Sequence, residues 1–106
     1  MSMTELVTII ETNGKGVRAY RDCAQAARDR VKARSDEAAA YLLLAMAAET
    51  FVDAYDDQPL LSQNAENEFL RFKNYVEVLG CIEKNNDETA KLDALNRVAA
   101  AIASHK

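Results

Sequence analysis

The amino-acid sequence is that of an all-α protein, expected to form one domain over residues 1–106: an antiparallel up-and-down helical bundle with four main helices plus a short N-terminal helix. Three Gly and one Pro in 106 residues leave few turn formers, and good helix formers such as Ala, Leu, Glu, Lys and Arg prevail. Apolar residues recur three and four apart through five stretches, the spacing of one helix face. The breaks between these stretches are short, and short breaks make consecutive helices antiparallel neighbours. With 49% hydrophobic and 28% charged residues, the chain can bury a core and is too apolar for disorder.

The first helix is expected to begin at Met3 or Thr4, because Ser2 to Glu5 have the spacing of a capping box. In that motif Ser2 and Glu5 would each satisfy the other's unpaired backbone N–H. Leu6, Val7, Ile9 and Ile10 supply its apolar side, and Asn13-Gly14-Lys15-Gly16 ends it as a turn. The second helix runs from Val17 to about Arg34, with Val17, Tyr20, Ala24, Ala27 and Val31 on one face. Ser35 is its successor's expected N-cap, followed by Asp36 and Glu37 where the helix dipole favours negative charge. The third helix then spans residues 36–57 and closes at Asp57-Gln58-Pro59, since proline cannot continue the hydrogen-bond ladder. A fourth starts between Pro59 and Asn64 and runs to about Lys84, burying Ala65, Phe69, Phe72, Val76 and Leu79. Gly80 interrupts it late, as an early C-terminal signal or as a small residue at a close helix contact. Asn85-Asn86-Asp87 forms the last turn and cap, and a fifth helix carries Leu92, Leu95, Val98, Ala99 and Ile102.

The third helix departs from the simple pattern, because residues 38–48 are an unbroken apolar run. At 100° per residue Ala39, Leu43, Met46, Ala47, Thr50 and Ala54 form one stripe, and Tyr41, Leu44, Ala48, Val52 and Tyr55 form another centred roughly 150° away. The acidic line of Glu49, Asp53 and Asp56 continues upstream as Ala38, Leu42 and Ala45, which are apolar. A surface helix carries charge along such a line. Either this helix is wrapped by the rest of the monomer, or one of its faces meets a second chain. The second reading places a partner interface at Tyr41, Leu44, Ala48, Val52 and Tyr55, with Ala38, Leu42 and Ala45 as the other candidate line. The expected partner is a copy of the same chain, since two-fold homodimers are the commonest soluble oligomers. On that reading a charge at Leu44 dissociates the assembly and leaves the helices intact.

Charge is divided along the chain. Residues 15–34 hold seven basic and two acidic side chains, and residues 36–57 hold six acidic and no basic ones. Antiparallel pairing of the two helices would bring the opposite charges together. The alternative is an exposed basic face, Arg18, Arg21, Arg28 and Lys32, that binds phosphate or nucleic acid. That alternative is disfavoured by a net charge of −4 and by the absence of a helix-turn-helix, zinc-finger or RNA-recognition signature.

Chemistry-bearing patterns are scarce, and neither a cofactor nor an enzyme activity is expected. His105, the single histidine, sits next to the last residue, a poor place for a catalytic base or a haem ligand with Met3. Glu49, Asp53 and Asp56 share a helix face but lack the Glu-x-x-His pairs of a di-iron bundle. Asn-Gly-Lys-Gly has neither phosphate-loop spacing. Cys23 and Cys81 lie far apart without a CxxC motif, which indicates reduced, packed thiols. The 11-residue apolar run is shorter than the about 20 residues a bilayer needs, and residues 1–12 hold two glutamates and no basic cluster. A cytoplasmic location without membrane attachment is therefore expected. A further alternative is a bundle enclosing a small apolar ligand among Met46, Phe51, Phe69, Phe72 and Tyr75.

Overall fold

Five α-helices account for nearly all of the computed structural model, which describes residues 3–33, 37–56, 59, 61–80 and 87–104. They are α1 (Thr4–Thr12), α2 (Val17–Lys32), α3 (Ala38–Tyr55), α4 (Ser62–Leu79) and α5 (Glu88–Ser104). No strand occurs among the described residues. The all-α bundle expected from the sequence is the observed fold.

Local chemistry explains most of the boundaries. Met3 occupies the N-cap of α1 without a side-chain cap, and the Glu5 carboxylate accepts a 3.0 Å hydrogen bond from Arg30 of α2. Ser2, the other half of the expected reciprocal cap, lies outside the described residues. The turn after α1 closes through Asn13, whose backbone and side-chain N–H groups both donate to the Ile9 carbonyl at 3.1 and 2.9 Å. Gly14 then takes φ +90° and Lys15 φ +62°. Gly16 is extended and precedes α2 as its N-cap, so the left-handed step falls on Gly14 and Lys15 rather than on both glycines.

The expected N-cap Ser35 and the ends of the second and fourth helices at Arg34 and Lys84 also lie outside the described residues. Glu37 stands at the N-cap of α3, two residues later than the acidic first turn suggested. Gly80 follows Leu79 as the C-cap of α4 in a right-handed conformation. The last helix is capped as expected: the Asp87 carboxylate accepts from the Thr89 N–H at 3.0 Å.

Two ion pairs show how α2 lies on α3: Arg28 with Glu49 and Arg21 with Asp56. A step of seven toward the start of α2 matches a step of seven toward the end of α3, so the helices run antiparallel with their oppositely charged edges in register. This is the arrangement anticipated from the charge division. α3 also packs against α4 and α5, and α1 covers α2 and α4. The body measures 42 × 26 × 18 Å, about two helix layers thick. Its core joins Met3, Leu6 and Ile10 of α1 to Tyr20 and Cys23 of α2, Leu44 and Phe51 of α3, and Phe72, Val76 and Leu79 of α4. The anticipated faces of α1 and α4 are the buried ones, with Tyr75 added and Ala65 half-buried.

α5 is held least firmly. Only Ala94 and Val98 are buried, while Leu95 and Ile102 are half-buried. Leu92 is 59% exposed. Its position lies on the far side of the helix from the Ala94 to Val98 line that meets α3 and α4.

Candidate functional site

α3 carries the candidate interface, and the neighbouring helices fix its rotation. Ala40, Tyr41, Leu44, Ala45, Ala48 and Phe51 are buried within the protomer. The expected partner stripe is thereby corrected: Tyr41, Leu44 and Ala48 face α2 and the core, and Val52 and Tyr55 are half-buried. The Tyr41 ring receives the Arg30 guanidinium 5.3 Å from its centroid, and Tyr55 packs on Phe51 at 4.8 Å. The alternative line is divided. Ala45 is buried, Ala38 is half-buried, and Leu42 is 37% exposed.

What remains open lies on the opposite side. Ala39, Leu42 and Met46 fall within about 60° of one another on the helix. Met46 is 45% exposed and Leu43 is half-buried at the border of this arc. No charged side chain from α3 enters the upstream half of this face. Downstream, Asp53 is exposed to water, and Glu49 is tied to Arg28.

The basic face of α2 is partly consumed by α3. Arg28 donates from Nε and Nη2 to the two carboxylate oxygens of Glu49 at 2.5 and 2.7 Å. That fork holds the Glu49 carboxyl below its ordinary pKa, chiefly through the hydrogen bond, and raises that of Arg28. Arg21 reaches Asp56 at 3.6 Å. Arg18 and Lys32 are exposed, with no ion pair among the described residues. The groove lined by Arg21, Gln25, Arg28, Glu49 and Asp53 thus mixes both signs. Glu49 and Asp56, considered above for a cation, are instead the partners of these arginines. Among the described residues no His, Cys, Asp and Glu cluster has the arrangement of a metal site.

A second feature lies between α2, α3, α4 and α5. Tyr20, Ala47, Thr50, Phe51, Glu68, Arg71, Phe72, Tyr75 and Ile102 line a pocket of about 30 Å³. Of the residues expected around an enclosed ligand, Phe51, Phe72 and Tyr75 are here. Phe69 is buried next to Lys15, whose ammonium sits 4.3 Å from its ring centroid, and Met46 is on the outer surface. Tyr20 was legible as a core residue, but its place in the pocket was not. Its ring stacks on Phe51 at 3.8 Å and meets the Phe72 edge at 5.9 Å. Although Tyr20 is 1% exposed, its hydroxyl has no hydrogen-bond partner among the described residues. Burial and the neighbouring Glu68 carboxylate push its pKa up, so the phenol is neutral across the physiological range. Glu68 is paired with Arg71 one turn away.

Cys23 is a free, buried thiol, and burial pushes its pKa up to about 12. A thiol held neutral is a poor nucleophile. Cys81 and His105 lie outside the described residues, and Met3 is wholly buried in the core. α3 is long and apolar enough to cross a membrane by length and composition. Its pairing with Arg21 and Arg28 and the burial of Leu44 and Phe51 are also those of a core helix. No family model matches this chain, and neither the curated proteins nor the solved structures contain a significant match to it.

Proposed function

We propose that the protein acts by binding another protein chain through the upstream outer face of α3, most simply as a homodimer. The observation that carries this reading is the exposure of Leu42 at 37% and Met46 at 45%, beside Ala39, on a stretch where α3 offers water no charge or hydrogen-bonding side chain. Helices that end at solvent place polar residues on that side. Burying this face against an equivalent face would remove the exposed apolar surface at no cost in unpaired polar groups. The open patch is small, which favours a reversible contact over an obligate one. The division of charge between α2 and α3 is satisfied largely within the protomer, so it supports the protomer's own pairing more than a nucleic-acid surface.

Light scattering after gel filtration tests the proposal. The wild-type chain is expected to dimerise as its concentration rises through the micromolar range, and Leu42→Glu with Met46→Glu is expected to be monomeric with unchanged helical circular dichroism. A wild-type protein that stays monomeric at millimolar concentration rules out self-association.

A further inference from the structure

We propose that Asn13 is a site of spontaneous deamidation and that its conversion loosens α1. Among the described asparagines, Asn64, Asn67 and Asn74 lie within α4 and Asn96 within α5. There the following backbone N–H belongs to the helical ladder, as when Ala65 donates to the Leu61 carbonyl at 2.9 Å. Asn13 alone of them lies outside a helix, at the C-cap of α1, and its successor is a glycine. Deamidation requires the next backbone nitrogen to reach the asparagine side-chain carbonyl carbon, and the turn permits it. The Gly14 N–H meets the Glu11 carbonyl only at 3.5 Å, beyond the usual range for such a bond. A Cβ at Gly14 would have no neighbour within 4 Å, so nothing packed beside the residue opposes rotation of the peptide. Asn13 is exposed, and its carboxamide is restrained by a 2.9 Å hydrogen bond from Nδ2 to the Ile9 carbonyl. An exposed bond of this kind competes with water and breaks readily.

Water is the only co-reactant. The Gly14 nitrogen gives its proton to hydroxide and bonds to Asn13 Cγ, the Cγ–Nδ2 bond breaks, and Nδ2 takes a proton from water and leaves as ammonia. Hydrolysis of the resulting succinimide at Cγ yields an aspartate, and hydrolysis at the main-chain carbonyl yields an isoaspartate whose backbone runs through Cβ and Cγ. Either product has a carboxylate in place of the Nδ2 donor, so the bond to the Ile9 carbonyl is lost. A negative charge also arrives at the C-terminus of α1, where the helix dipole favours a positive one. α1 contributes Leu6, Val7 and Ile10 to the core and covers α2 and α4, so the loosening reaches the bundle and not only the turn. The inference does not rest on the proposed dimer.

Incubation of the full-length protein in mildly alkaline buffer, followed by peptide mass spectrometry, tests the site. The peptide containing Asn13 is expected to gain the mass of water less that of ammonia, with Asn64, Asn67, Asn74 and Asn96 unchanged over the same period. Hydrogen exchange tests the consequence. Incubated wild type and fresh Asn13→Asp are both expected to exchange α1 amides about two- to tenfold faster than fresh wild type, the range for one lost neutral hydrogen bond. Asn13→Gln keeps a carboxamide but closes only a larger, less favourable ring, so incubation is expected to leave its α1 exchange unchanged. Conversion at Asn13 that is absent, or no faster than at the helical asparagines, overturns the assignment of the site. Unchanged α1 exchange in Asn13→Asp overturns the loosening.

Discussion

Tyr20 illustrates how one side chain can both stabilise the fold and work against it. Its ring joins Phe51 and Phe72 at the centre of the core, yet its hydroxyl is shut away from water without a partner among the described residues. An unmade buried hydrogen bond costs about 1–3 kcal/mol. Tyr20→Phe is therefore expected to be neutral or to raise stability by up to about 1 kcal/mol, whereas Tyr20→Ala, which removes the stacked ring, is expected to lose about 3–5 kcal/mol. Urea denaturation of the two variants distinguishes the roles of ring and hydroxyl. Gly14 is a different case, since its φ of +90° is a backbone state that L side chains rarely adopt. Gly14→Ala is expected to cost about 1 kcal/mol or more, although a Cβ there would meet no neighbouring atom within 4 Å. The same denaturation measurement checks it.

Glu49 gives the pH dependence at this scale. Its carboxyl is held below the ordinary value of 4.5 by the hydrogen bond from Arg28, so the folded protein binds that proton less tightly than the unfolded chain. The resulting stability is present above the unfolded pKa and is lost as pH falls through the folded one. Glu49→Gln is expected to cost little at neutral pH, because both side chains are well exposed. Its acid-side stability curve is expected to be flatter below pH 4.5, a difference visible when midpoints are compared between pH 7 and pH 3.

At the scale of elements, α3 is where sequence and structure diverge most. Its two apolar stripes lie at nearly equal angles from the direction opposite Glu49, Asp53 and Asp56, so the acidic face could not choose between them. Contacts absent from α3's own sequence made the choice: Arg28 draws Glu49 toward α2, and Arg30 and Tyr20 cover Tyr41 and Phe51. The consequence is a sharp contrast two residues apart. Leu44 is wholly buried, and Leu44→Ala is expected to cost about 2–5 kcal/mol; a charge there should unfold the chain rather than dissociate an assembly. Leu42→Ala, on the open face, is expected to stay within about 1 kcal/mol of wild type. Thermal melts of the pair test the rotation of α3 directly. In α1 and α4 the apolar residues formed one stripe each, and those faces were readable without coordinates. In α5 spacing alone does not separate the exposed Leu92 from the buried line of Ala94 and Val98.

For the whole molecule, the packing is uneven. α2 and α3 meet along their length, while α5 rests on α3 and α4 through a narrow strip around Ala94 and Val98. Native-state hydrogen exchange is expected to show α5 amides exchanging well before those of α2 and α3, because local opening follows the amount of buried apolar contact. The proposed interface is a consequence of this unevenness. A bundle of 106 residues gives α3 three neighbouring helices, which leaves one arc uncovered and one inner space incompletely filled.

The sequence by itself determined the helical class, the order of the five described helices and the antiparallel pairing of a basic helix with an acidic one. Each of these depends on local propensity, spacing or charge that lies within one or two neighbouring segments. Only the tertiary structure decided which side of α3 faces inward, which of its apolar residues remain open, and that Tyr20, Glu68 and Ile102 border one pocket. Those facts depend on the simultaneous packing of four helices, where side chains separated by up to 82 positions in the chain come together, and no periodicity within a single helix encodes that meeting.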